Sequence, residues 1–355
     1  MFVALRDLRF AKGRFLLIGS VVALITVLVG FLSGLTGGLA TQNISGVLAL
    51  PADRLAFTVP AGDDAPSFST SSPTSDQADA LAAMPGVSSV DPIGISQLRA
   101  ESATTGAAVA VFGVAAGFTA SSPSTPGAIV LSESASQELT AAVGDEVTIG
   151  GSSFRVEAVG PESWYSHTPV VEVALEDWRA LAEATGAPDA FATVLAVSGD
   201  PDWAAVDAET GVVSETLISS LTALSAFRSE VGSLLLMVAM LFGISGLVIG
   251  AFFTVWTMQR QGDIAVLKAL GASTASLARD ALGQALLVLL AGIGTGVALV
   301  AILGTLAGQA LPFLLSPLTT LLPGAIMIAL GLAGAAFALR SVTTADPLTA
   351  LGGNR

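Results

Sequence analysis

The 355-residue sequence contains no cysteine and a single histidine. The first absence excludes disulfide frameworks, zinc-thiolate sites, iron–sulfur ligation and covalent CxxCH haem attachment, and the second argues against a His-based metal cage. Charge is also scarce, at 12% of residues, whereas 52% are hydrophobic and the mean hydropathy is +0.77. So few charges cannot coat an ordinary soluble protein of this length, and the composition is that of an integral membrane protein. There is no GxxxxGK[ST] phosphate loop, no Ser/His/Asp arrangement and no HExxH, so the sequence offers no motif for nucleotide hydrolysis, triad hydrolysis or zinc proteolysis of its own. A net charge of −14 also gives no reason to expect a nucleic-acid partner.

The charges that are present are unevenly distributed. Positions 41–230 hold 24 of the 28 acidic residues and five of the 14 basic ones, a balance of −19. The remainder carries Arg6, Arg9, Lys12, Arg14, Arg260, Lys268, Arg279, Arg340 and Arg355 against only Asp7, Asp263, Asp280 and Asp346. Positive charge marks the cytoplasmic face of a membrane protein. Four apolar stretches, near 15–39, 231–258, 281–309 and 318–339, reach the roughly 20 residues that a helix needs to cross the hydrocarbon core. No charged residue lies between Ala281 and Leu339, but Pro312, Pro317 and Pro323 punctuate the run and predict a helical hairpin.

These spans predict a multi-pass plasma-membrane protein with both termini in the cytoplasm. Residues 40–230 lie outside, 259–280 form a cytoplasmic loop, 310–317 an outer turn and 340–355 a cytoplasmic tail. Met1–Arg14 alternates apolar and basic residues at helical spacing, as in an amphipathic helix on the inner leaflet. An alternative for 15–40 is a cleaved signal peptide ending at Gly38-Leu39-Ala40.

The outer block is long enough for a core of its own. Helical spacing over Asp76–Met84 and Trp178–Thr185 alternates with strand patterns at Gly86–Ile93, Ala128–Leu131 and Phe191–Val197. Glu146–Ile149 and Ser153–Ala158 form a predicted hairpin across Gly150-Gly151. Leu217–Glu230 is expected to be a helical stalk. The predicted fold class is thus a membrane protein of four transmembrane α-helices, with an extracellular α+β domain inserted between the first and second.

The cytoplasmic segment MQRQGDIAVLKALGASTASLARD (Met258–Asp280) carries the most specific motif. An apolar face of Ile264, Leu267 and Leu270 ends at a Gly271 stop. With the one-plus-three span layout and the hairpin GDEVTIGGSSFRVEAVG, it resembles permeases of the MacB/FtsX type of ATP-binding cassette transporter. That resemblance implies that Gly262, Asp263, Ile264, Leu267, Lys268, Leu270 and Gly271 couple to a separate ATPase, present in two copies and carrying ATP and magnesium. It also implies a permease that is not itself an enzyme, driven by mechanotransmission. Glycines at Gly30, Gly34 and Gly38, three in register, are expected to form a homodimer seam.

Within that family, LRDLRFAKGRF, PESWYSHTPVV and FFTVWTMQRQGDIAVLKALGAS are similar to haem-exporting permeases of the HrtB type. The resemblance implies haem as transported substrate, taken from the outer leaflet. Haem is planar and apolar with dianionic propionates, so its site needs aromatics, an iron ligand and a cation. Phe227, Glu230 and Met237 recur at helical spacing, and seven residues at about 100° each return Met237 to within about 20° of Glu230. Arg228, just off that face, is placed to meet a propionate. A carboxylate at a membrane boundary is a site candidate by default. Tyr165 and His167 are the expected ligands from the outer domain, with Phe57 as an aromatic wall. Rival readings are export of peptides, lipids or lipoproteins by the same architecture, and FtsX-like signalling to a wall hydrolase. A receptor with no ATPase leaves the LKALGAS loop unexplained.

Overall fold

The computed structural model describes residues 12–260, 262, 266–268 and 270–343. The chain forms two units, one of Leu39–Gly232 and one of Met1–Gly38 with Ser233–Arg355. Most of the expected interfacial helix over Met1–Arg14 and most of the tail lie outside the described residues. Helix α1 (Lys12–Leu48) belongs to both units and runs unbroken past Gly38-Leu39-Ala40. No charge or proline interrupts it from Phe15 to Leu48.

The outer unit begins with β1 (Arg54–Phe57), α2 (Ser75–Ala82), β2 (Val87–Glu101) and β3 (Gly106–Val114). Thr74 and Gln77 start α2 with a reciprocal capping box. The chain continues through β4 (Ala128–Leu131), α3 (Glu133–Leu139), β5 (Glu146–Ile149) and β6 (Ser152–Val159). Gly150 and Gly151 both take positive φ, as a two-residue hairpin loop demands. There follow β7 (Trp164–Tyr165), β8 (Thr168–Ala174), α4 (Leu175–Ala184), β9 (Val194–Gly199), α5 (Trp203–Thr210), β10 (Val213–Thr216) and α6 (Leu217–Ser220). The strand expected to end at Ile93 continues to Glu101, because its second half finds a partner of its own in β3.

Strand order is β10-β1-β9-β2-β3-β8-β4-β6-β5, with β7 on β8 and a further pairing of β5 with β2. That last pairing, Ala100 with Ile149 and Glu101 with Thr148, closes β2-β3-β8-β4-β6-β5 into a ring. The first half of β2 belongs instead to the open sheet beside β9. Strand alternation assigns the cores. Val109 and Val111 of β3 and Val171 and Val173 of β8 pack with Ile129, Leu131 and Phe154 in one core, whereas Ala110, Phe112 and Val170 join a second with Phe57, Phe68 and Tyr165. Trp178 of α4 seals the first core. Its ring lies over Gly94 and Gly113, which face each other across β2 and β3, and its Nε1 donates to Ser96 Oγ at 2.9 Å.

The predicted stalk is not one helix. After α6, a 3-10 turn (Leu221–Ala223) and an extended Leu224 precede α7 (Ser225–Gln259). Helices α8 (Thr274–Ala307) and α9 (Pro317–Thr343) complete the set, and all four long helices are apolar enough to cross a membrane. Pro317 is the first residue of α9, where its missing N–H costs nothing.

In the membrane unit, Val22, Val29, Ile249, Phe253, Leu289, Ile293 and Met327 share a core. The glycines expected to line a seam between two copies face the chain itself. A Cβ on Gly30 would meet Val300, on Gly34 the Phe313 ring, and on Gly38 the backbone of Pro312. Gly292 and Gly296 likewise admit Val22 and Thr26, and Gly250 meets Gly334. The small-residue spacing is used for close packing within one chain, and it leaves no space at these positions for a second copy.

Because a methyl group at Gly94 would overlap the Trp178 ring, Gly94→Ala is expected to destabilise the outer unit by about 1–3 kcal/mol. Urea unfolding followed by tryptophan fluorescence reads this. An unchanged midpoint would contradict the packing.

Candidate functional site

Glu230 sits in the second turn of α7. Its Oε2 accepts from His167 Nε2 at 2.7 Å and from Asn43 Nδ2 at 3.0 Å. Asn43 Nδ2 also donates to Leu39 O at 3.3 Å. Asn43 Nδ2 also stands 3.0 Å from His167 Nε2, and the carboxylate beside both nitrogens can only accept. His167 Nε2 then carries a proton, and two donors converge on one carboxylate oxygen. Asn43 is fully buried, yet its Oδ1 has no hydrogen-bond partner. Glu230 and His167 remain about one-third exposed, so the pair is reachable from solvent.

The turn that presents His167 is strained. Tyr165 of β7 pairs with Thr168 of β8, leaving a two-residue loop in which Ser166 and His167 both have positive φ, 49° and 64°. Such turns prefer Asn-Gly, since a side chain in the left-handed region costs about 1–2 kcal/mol per residue. The turn is held against α1: Ser166 N–H donates to Asn43 O at 3.0 Å and His167 N–H to Gln42 O at 2.9 Å. Gln97 Nε2 ties it from β2 through Thr168 Oγ1 at 3.1 Å. Three segments distant in sequence thus converge on the Glu230 carboxylate.

Other predicted ligands lie elsewhere. Tyr165 is buried between Phe68 and Phe112, with ring centroids 5.8 and 5.6 Å away, and burial pushes its phenol above the usual range. It is a core residue and offers no phenolate. Phe57 is fully buried against Phe68 and forms no cleft wall. Phe227 packs partly onto the same core. Arg228 is exposed and lines a pocket with Asp63 and Asp64, carboxylates that oppose an arriving propionate. Met237 is half exposed and belongs to the membrane unit. Asn43 is not among the residues that the sequence nominates for the site; the signal for it is the adjacent amide pair Gln42-Asn43 near the end of a long apolar helix.

On the segment between α7 and α8, Asp263 and Ile264 lie outside the described residues. Gly262, Val266, Leu267 and Leu270 are exposed, and Lys268 is partly so. Gly271 takes φ +94°, and Ala272 N–H reaches Leu267 O at 2.9 Å, a left-handed glycine stop. The segment's ends are tied together where Arg260 Nη1 donates to buried Gln284 Oε1 at 2.6 Å.

Residues 15–224 match the MacB-like periplasmic core domain, and residues 231–347 match the FtsX-like permease C-terminal domain. The chain is an ABC transporter permease of the MacB/FtsX type. It is 26% identical over 364 residues to a Staphylococcus haemolyticus protein named as the permease HrtB of a hemin transport system, covering 99% of both chains. An uncharacterized ABC transporter permease of Mycobacterium bovis is also 26% identical, over 371 residues and 99% of both chains. The periplasmic region of MacB from Actinobacillus actinomycetemcomitans aligns with 48% of this chain and 92% of its own, at 13% identity and a TM-score of 0.36. Permeases of this type are multi-pass membrane subunits and are not themselves enzymes.

The strained turn gives a test in the permease. Replacing Ser166-His167 with Asn-Gly puts a residue tolerant of the left-handed region at 166, removes the left-handed side chain at 167, and loses a partly exposed His167–Glu230 contact worth at most about 1 kcal/mol. A net gain of about 1–2 kcal/mol is expected in urea unfolding. His167→Ala keeps the strain, loses the pair and is expected to destabilise.

Proposed function

We propose that this permease exports haem, drawing it from the outer leaflet for detoxification, and that the Glu230–His167 pair is its first polar contact. The observation that carries this reading is the convergence of Asn43 and His167 on a part-exposed carboxylate at the head of α7. A carboxylate and an imidazole are both competent ligands for ferric iron, and the apolar macrocycle is suited to the lipid beside such a site. The kinship with relatives named HrtB supports the same substrate class. Haem is cargo here, held only in transit.

The energy source in this reading is a separate cytoplasmic ATPase, two copies of which dock on the segment around Val266, Leu267 and Leu270. Those exposed apolar side chains beside Lys268 suit a protein contact better than water. Two permease copies complete the pump, and α7, the least covered of the four long helices, offers free surface for their contact. ATP-driven closure of the ATPases then tilts α1 and α7 and expels the ligand.

A haem titration of the purified permease, read by Soret absorbance, tests the substrate. Saturation near one haem per dimer is expected, with at least tenfold weaker binding in Glu230→Ala. Absence of saturable binding would overturn the haem reading and favour another amphiphile, or signalling without transport.

A further inference from the structure

The outward face of β8 carries an unusual charge. Val170 and Glu172 point away from the ring core that holds Val171 and Val173. In register, Glu172 lies between Phe112 of β3 and Val130 of β4. Beside it opens a mainly apolar pocket of about 170 Å³, bounded by Leu50, Phe112, Val130 and Val170. One carboxylate oxygen, Glu172 Oε2, accepts from Thr119 Oγ1 at 2.7 Å, and Oε1 has no hydrogen-bond partner among the described residues. Glu162, also on the pocket, differs: its oxygens accept from Ser134 N–H and Oγ and from Trp164 Nε1. Burial pushes the Glu172 carboxyl above the usual range, and the hydrogen bond from Thr119 opposes that shift.

A carboxylate oxygen open to solvent beside an apolar pocket suits a cationic group attached to an apolar body. The size of that body follows from the volume, since an apolar cavity of about 150 Å³ accommodates a six-carbon ring. The charge of the outer block, −19 by sequence, enriches cations around the opening. We propose that this pocket binds a short primary alkylammonium group, with its ammonium on Glu172 Oε1 and its chain against Leu50, Phe112 and Val170. The residues at Gly46–Leu50 form one wall and β4 and β8 the other, so an occupant joins the outer end of α1 to the sheet. This site shares no residue with the Glu230 cluster and does not depend on haem being the cargo.

Calorimetric titration of n-pentylammonium into the purified full-length permease tests it, with 1-pentanol as the neutral control of equal length. One saturable site per chain is expected, with at least tenfold weaker binding of 1-pentanol and at least tenfold weaker pentylammonium binding in Glu172→Gln. Ala49→Trp, at an exposed position on the rim, keeps Glu172 intact and is expected to abolish binding by filling the pocket. Equal affinity for 1-pentanol, no binding to the wild type, or undiminished binding in both variants overturns the proposal. A lysine-bearing peptide that displaces pentylammonium assigns the group to a protein side chain, and one that does not assigns it to a free amine.

Discussion

A carboxylate near the start of an apolar helix has to find donors, and in this permease that requirement organises the outer unit around Glu230. One donor comes from Asn43, buried within α1, and the other from His167 on a hairpin turn. To bring His167 there, two side-chain-bearing residues occupy a backbone region that favours glycine, and α1 compensates by accepting both turn N–H groups. A turn built only for stability would use Asn-Gly. Strain of this kind persists where the surroundings over-determine it, and functional sites are where it collects. The unpartnered Asn43 Oδ1 is a second local cost at the same place.

Strand alternation governs the rest of the outer unit. Strands β3 and β8 are apolar on both faces because each divides its side chains between two cores. Glu172 interrupts that rule on one face only, which is why its environment stands apart from that of the many solvated carboxylates of this acidic domain. The paired glycines under Trp178 follow from the same layering, since α4 can approach the sheet only where side chains are missing.

Much of the architecture is legible in the sequence. The uninterrupted apolar runs mark the four long helices, and Gly150-Gly151 and Gly271 mark a hairpin and a helix stop through backbone freedom that local sequence encodes. What fails is non-local. Periodicity over Leu217–Glu230 is compatible with a helix, but the 3-10 turn and Leu224 bury Leu221, Ala223 and Leu224 in the second core, and tertiary packing prevails over propensity. Gly30, Gly34 and Gly38 announce close packing without naming the partner, which proves to be α8 and the turn after it. Tyr165 and His167 look equivalent in PESWYSHTPVV, yet strand alternation sends Tyr165 inward and the turn sends His167 to Glu230. Asn43 lies more than a hundred residues from either partner, beyond the reach of any local pattern.

The central claim is that cargo meets the Glu230–His167 pair. Because His167 is the chain's single histidine, an isotope-labelled imidazole gives one side-chain signal that needs no assignment. Nuclear magnetic resonance of that signal, with paramagnetic ferric haem compared against its diamagnetic gallium analogue, reads proximity directly. The account predicts that the signal is lost at stoichiometric ferric haem, survives with a shift in the gallium complex, and is retained with ferric haem in Glu230→Ala. A sharp, unshifted resonance at saturating ferric haem would contradict it.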